Sequence, residues 1–163
     1  MIRTKSSNKT KYFLGAFIII LMLGSGLAIF SSSNDELTYK GHRFSLQQGK
    51  YVTEIDGTPY FFDFLPTDVE DIPFESYAFN TNKVYISADN SSLVVVPKLE
   101  GVFVSNGVLP ILQERNCSGG VVVLKLIDSD TESKIYIDQS CIILEGNPYK
   151  TSDRFAYSYL GIL

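Results

Sequence analysis

Ser92-Leu-Val-Val-Val-Pro-Lys-Leu-Glu-Gly-Val-Phe-Val104 is the stretch on which the fold class turns. Val94, Val95, Val96, Val102 and Val104 favour a strand, because β-branched side chains suit a pleated, half-buried surface. Yet Val95, Leu99, Val102 and Phe103 also recur at helical spacing. Pro97 is compatible with a helix only in its first turn, where the missing N–H is not needed. The helical pattern predicts a helix over 92–104, capped from Asn90-Ser-Ser92 and stopped by Asn106-Gly107. A helix here, among segments that read as strands, makes the fold α+β or α/β rather than all-β.

On the N-terminal side the pattern is that of strands. Tyr39, Phe44 and Leu46 carry a first extended stretch, with Gly41 and Gly49 as punctuation. Tyr51, Val52 and Ile55 lead into Asp56-Gly57 and then Pro59-Tyr-Phe-Phe-Asp-Phe64. An Asp-Gly step between two β-forming runs predicts a hairpin, since both turn residues need positive φ. Thr67-Asp-Val-Glu70 after Pro66 has capping-box spacing and predicts a short helix to about Ile72, closed by Pro73. Val84-Tyr-Ile-Ser87 reads as a buried strand.

Beyond residue 104, further strands are expected at Leu109–Leu112, Val121–Leu126, Ile135–Ile137 and Cys141–Leu144. A last helix from about Ser152 to Gly161 would place Phe155, Tyr159 and Leu163 on one face. The expected domain is therefore small, with a β-hairpin region and a mixed sheet packed by two or three helices.

Ahead of this domain, residues 12–30 run without a charge. As a helix they would span about 28 Å, close to the hydrocarbon thickness of a bilayer. Arg3, Lys5, Lys9 and Lys11 precede them, and the first charges after them are Asp35 and Glu36. The positive-inside rule then predicts a cytoplasmic tail at 1–11, a single membrane span at 12–30, a tether at 31–37 and an extracytoplasmic domain at 38–163. Gly26 and Ala28, or Ser31 and Ser33, would suit a cleaved signal. The apolar run exceeds a signal core, which favours an uncleaved signal-anchor.

Four of the 14 basic residues lie in the tail, so residues 31–163 hold ten against 18 acidic. That balance argues against a nucleic-acid or anionic-lipid partner, both of which want a basic face. Cys117 and Cys141 are the only cysteines and are expected to pair as a structural disulfide outside the membrane. Asn90-Ser-Ser92 and Asn116-Cys-Ser118 match the N-glycosylation sequon on that side. Asn8-Lys-Thr10 matches as well, but falls in the expected cytoplasmic tail.

The run Tyr39-x-Gly41-x-x-Phe44, then Asp56-Gly57-x-x-Tyr60-x-Phe62, Val84-Tyr-Ile86, the cysteine pair and Asp153-Arg-Phe-Ala-Tyr157 to Gly161-Ile162 follow in order. Together they resemble small N-terminally membrane-anchored proteins of unknown function from uncultured archaeal lineages. The resemblance implies topology and location, and no activity.

Catalytic signatures are absent from the sequence. His42 is the only histidine and stands in an expected strand beside Arg43, with no nucleophile elbow around any serine. Zinc needs several Cys or His ligands, so no metal site and no cofactor are expected. Asp128-Ser-Asp130-Thr-Glu132 alternates oxygen ligands but lacks the glycine and distal glutamate of a calcium loop, and reads as an acidic turn. Asp63, Asp68, Glu70 and Asp71 form the densest acidic cluster. Two functions stay open at this level. One is an anchored extracytoplasmic domain that binds or scaffolds a protein partner at the cell surface. The other is a surface hydrolase using the acidic residues near 63–71 with His42. For binding, the aromatic row Tyr60, Phe62 and Phe64, which shares one strand face, is the candidate interface if it is exposed.

Overall fold

The computed structural model describes residues 36–77, 81–117 and 120–163. The expected tail 1–11, the span 12–30 and the tether through residue 35 lie outside the described residues. Among the described residues, no helix is long and apolar enough to cross a membrane. Glu36–Leu163 forms one compact unit.

The unit is α+β. It opens with a four-stranded antiparallel meander: β1 (Leu37–Tyr39), β2 (His42–Gln47), β3 (Lys50–Ile55) and β4 (Thr58–Phe62). Three two-residue turns connect them, Lys40-Gly41, Gln48-Gly49 and Asp56-Gly57. Both residues of each turn have positive φ, from 45° to 88°, the backbone twist that matches flanking strands in a tight hairpin. Only Asp-Gly advertises this in sequence, because Lys and Gln rarely adopt left-handed backbone. The hairpin expected at Tyr51–Phe64 is present, and Gly41 and Gly49 mark two more.

A short helix α1 (Pro66–Val69) follows. Its cap differs from the expected box. The Leu65 N–H donates to Asp68 Oδ2 at 3.0 Å, while Glu70 accepts from the Tyr39 hydroxyl at 2.6 Å. Pro66, preset for the first helical position, puts the N-cap at Leu65, two residues before Thr67, and the helix ends at Val69 rather than near Ile72.

The second sheet has strands β5 (Lys83–Ala88), β6 (Leu109–Leu112), β7 (Val123–Asp128), β8 (Lys134–Asp138) and β9 (Cys141–Gly146), in the order β6-β5-β7-β9-β8. Four strands are parallel and β8 pairs antiparallel with β9, so the sheet is mixed. Between β5 and β6 the chain makes a 3-10 turn (Ser92–Val95) and helix α2 (Val96–Ser105), with Pro97 in its first turn. The stretch 92–104 is therefore helical. Its N-cap position is Ser91, inside the expected capping stretch, and Asp89 supplies a side-chain hydrogen bond there, accepting from the Ser92 N–H at 2.8 Å. Helix α3 (Pro148–Tyr159) begins four residues earlier than expected. Asn147 Oδ1 accepts from the N–H groups of Tyr149 and Lys150, both at 3.1 Å, and Pro148 again supplies the first helical position.

Helices α2 and α3 contribute to two cores at once. Leu99, Phe103 and Phe155 pack with Val84, Ile86, Leu124, Ile142 and Leu144 of the mixed sheet. Val102, Ala156 and Tyr157 pack with Phe44, Tyr60 and Phe62 of the meander. The helices thus form a middle layer, which is why Thr151, Ser152 and Asp153 of α3 are buried as well as its apolar residues. The outer face of the mixed sheet carries a smaller cluster, Val123, Cys141 and Ile143, with Tyr85, Cys117 and Val121.

Gly146 closes β9 at φ +111°, and a Cβ there would lie 2.6 Å from the Ser133 Cα. Left-handed strain and a backbone clash add, so Gly146→Ala is expected to lower stability by at least about 2 kcal/mol. Urea unfolding of the variant beside the parent checks this.

Candidate functional site

The N–H groups of Asp63 and Phe64, just past β4, both donate to Asp153 Oδ2 at 2.8 Å. Asp153 Oδ1 in turn accepts from Lys98 of α2. Lys98 also reaches Asp63 Oδ2 at 3.1 Å, and Lys50 of β3 donates to Asp63 Oδ1. The four side chains form an alternating chain of charge, Asp153–Lys98–Asp63–Lys50, that ties the meander to both central helices. Asp153 is 0% exposed and Lys98 15%.

The two carboxylates titrate in opposite directions. Burial pushes Asp153 above the ordinary aspartate range, and the attraction of Lys98 only partly offsets it. Burial acts on Asp63 too, but hydrogen bonding from Lys50 and the charge of Lys98 outweigh it and hold Asp63 low.

Lys50, Asp63 and Lys98 of this network floor a groove of about 370 Å³, at the small end of ligand-binding cavities. One wall is β4, through Thr58, Pro59, Tyr60 and Phe61. The other is the start of α2 and the turn before it, through Val94, Pro97, Lys98 and Gly101, with Tyr149 at one end. Phe61 is 51% exposed and Val94 56%, so the rim is apolar while the floor is charged. A second hollow, about 540 Å³, lies at the carboxyl ends of β5 and β7, where open sheets often bind ligands. Its Asp89 is taken up structurally, accepting from the Ser92 and Asp128 N–H groups.

The residues singled out from sequence separate. Tyr60, Phe62 and Phe64 do not form an exposed interface: Tyr60 and Phe62 are buried and Phe64 half-buried. Phe62 stacks on Tyr157 with ring centroids 4.0 Å apart, so this strand face meets the helix layer. The exposed ring is Phe61, on the opposite face. The carboxylates near 63–71 go to different partners: Asp63 to lysines, Asp68 to a backbone cap, Glu70 to Tyr39. His42 lies half-buried on β2, opposite Tyr39. Among the described residues, no hydrogen bond or ion pair links it to those carboxylates.

Cys117 and Cys141 form a disulfide, with Cα atoms 5.1 Å apart. Asn90 stands exposed in the turn after β5, and Asn116 is exposed beside Cys117. Ser118, the third residue of the second sequon, lies outside the described residues. Asp128, Asp130 and Glu132 are exposed on the β7–β8 connection, and among the described residues no group of three or more His, Cys, Asp or Glu could hold a metal ion.

No known protein family, curated protein or solved structure matches this chain.

Lys98 and Asp153 were missed from sequence. A signal for Asp153 was available: an acidic residue five positions past Pro148, on the same helical face as Ala156, sits where a helix buries its face.

Proposed function

We propose that this protein is a single-pass membrane protein whose extracytoplasmic domain binds a partner at the cell surface through the groove between β4 and α2. One observation carries the binding reading. The groove has an exposed apolar rim, while its two lysines and Asp63 are paired in a neutral chain that ends on the buried Asp153. Such a floor orients and closes a site rather than attacking a substrate. The membrane assignment rests on the uncharged run 12–30 and the basic residues before it. With that topology, residues 1–11 are cytoplasmic and the disulfide and the sequons at Asn90 and Asn116 face outside.

Photocrosslinking tests the binding site. With benzoylphenylalanine at position 61, native membranes are expected to yield a discrete adduct that Gly101→Leu abolishes by filling the groove. The same probe at position 46, where Leu46 is also well exposed, should yield none. Equal adducts at both positions, or none at 61, would sink the reading. A Leu46→Cys thiol labelled by an impermeant maleimide in intact cells checks the orientation; labelling only after permeabilisation reverses it.

A further inference from the structure

We propose that the occupant of this groove is an extended peptide segment, added as a further strand along the open edge of β4. The inference rests on the binding reading above and specifies its mode. Thr58, Pro59, Tyr60 and Phe61 are consecutive, and all four line the groove. Successive strand side chains point to opposite faces, so a cavity lined by every one of them borders the strand's edge, not a face. β4 is the terminal strand of the meander, and among the described residues no strand pairs with its outer side.

The register shows which backbone groups are offered. Ile55 and Thr58 flank the two-residue Asp56-Gly57 turn and pair with each other, so Thr58, Tyr60 and Phe62 direct their N–H and C=O groups to β3. Pro59 and Phe61 direct theirs outward. Asp63 has the same parity, and its N–H does point outward, to Asp153. Pro59 has only a carbonyl to give, and Asp63 has its N–H engaged. The open ladder therefore centres on Phe61, which offers both a donor and an acceptor.

The opposite wall leaves room for such a guest. Gly101 sits inside α2 with ordinary helical backbone, and a Cβ built on it meets nothing within 4 Å. Glycine weakens a helix interior, and among the described residues no contact requires it here. A side chain at 101 would project into the groove and occupy the guest's space. Phe61, Val94 and Tyr149 provide apolar contact for alternate guest side chains. The occupant is thus a short extended segment with spaced apolar residues. Main-chain pairing of this kind gives affinity, and the flanking pockets give selectivity.

The test uses the full chain in detergent micelles and phage-displayed random octapeptides as the probe. Enriched peptides are then synthesised with single N-methyl groups at each position in turn. Strand pairing predicts that methylation at alternate positions weakens binding about tenfold or more, with little effect at the positions between. Phe61→Pro, which removes an outward N–H that β3 does not use, should match the sensitive positions, whereas Phe61→Ala should lose less. The peptide series needs no variant to fold. Absence of enriched peptides, or methylation without alternation, overturns strand pairing. If Gly101→Leu still abolishes binding in the latter case, the groove is a site for another mode, such as a small amphipathic carboxylate. If Gly101→Leu has no effect, the groove itself is not the site and the binding reading falls too.

Discussion

Lys98→Met is expected to lower the unfolding free energy by about 3–5 kcal/mol near neutral pH, the usual loss when one partner of a buried ion pair is removed. The substitution roughly keeps the volume and removes the charge that faces two carboxylates. Asp153 has no exposed surface, so water cannot take over from the lysine. Lys50→Met is the contrast. Lys50 is far more exposed and touches only the outer carboxylate of the chain, so its loss should fall below about 1 kcal/mol. Adding Asp153→Asn to Lys98→Met should recover much of the deficit. The amide oxygen can still accept from Asp63 and Phe64, and no uncompensated charge remains.

The pH dependence follows from the two opposite shifts. Asp153 has a folded pKa above its unfolded value, so its contribution is full at low pH and is lost as pH rises through the folded pKa. Asp63 has a folded pKa below the ordinary aspartate value of 3.8, so its contribution is present above that value and is lost as pH falls through the folded pKa. Lys98→Met removes the cation that restrains Asp153, so the deficit should shrink on acidification from neutral pH through the raised Asp153 pKa. Urea unfolding of the full chain in micelles across this range measures it. A deficit independent of pH would mean that Lys98 matters for packing and not for charge.

Loss of the Cys117–Cys141 bond is expected to be the other large effect, about 3–3.5 kcal/mol from the entropy of a loop with a sequence separation of 24. That corresponds to a fall in Tm of roughly 10–15 °C for a domain of this size. The bond also has a local task. It seats Cys117 and Val121 over Val123, Cys141 and Ile143, on the sheet face that lacks helices. Ser140 reinforces the same segment, its hydroxyl donating to the Cys117 carbonyl at 2.6 Å. Thermal unfolding of Cys117→Ala/Cys141→Ala beside the reduced and oxidised parent separates the cross-link from the side chains. A shift under about 3 °C would show that the segment is held without the bond.

Much of the fold was legible because it depends on near neighbours. Asp56-Gly57 states its turn by itself, and Pro97 followed by apolar residues at helical spacing outweighs the valines of 94–96. Lys40-Gly41 and Gln48-Gly49 were only half legible, since one residue of each pair hides its positive φ. The start of α3 is written in Asn147-Pro148, a nearer signal than the aromatic spacing after Ser152. The aromatic row of β4 went the other way. Tyr60, Phe62 and Phe64 share a face by strand geometry alone, but nothing local says whether that face meets water or Tyr157.

The groove was not legible at all. It joins β4 to a helix that starts more than thirty residues later, and its Asp63 and Lys98 are held from beneath by Asp153, which is 90 residues from Asp63. By itself the sequence determined the alternation of strands and helices, the α+β class, the two cysteines available to pair and an uncharged run long enough to span a bilayer. Those depend on φ preferences, caps and side-chain periods within a few residues. Only the long-range packing decided that α2 and α3 lie between two sheets, that Asp153 is buried against Lys98, and that among the described residues no strand pairs with the outer edge of β4. The reason is physical: burial and strand pairing depend on which distant segments meet, and a strand's own residues do not specify which of its edges stays unpaired.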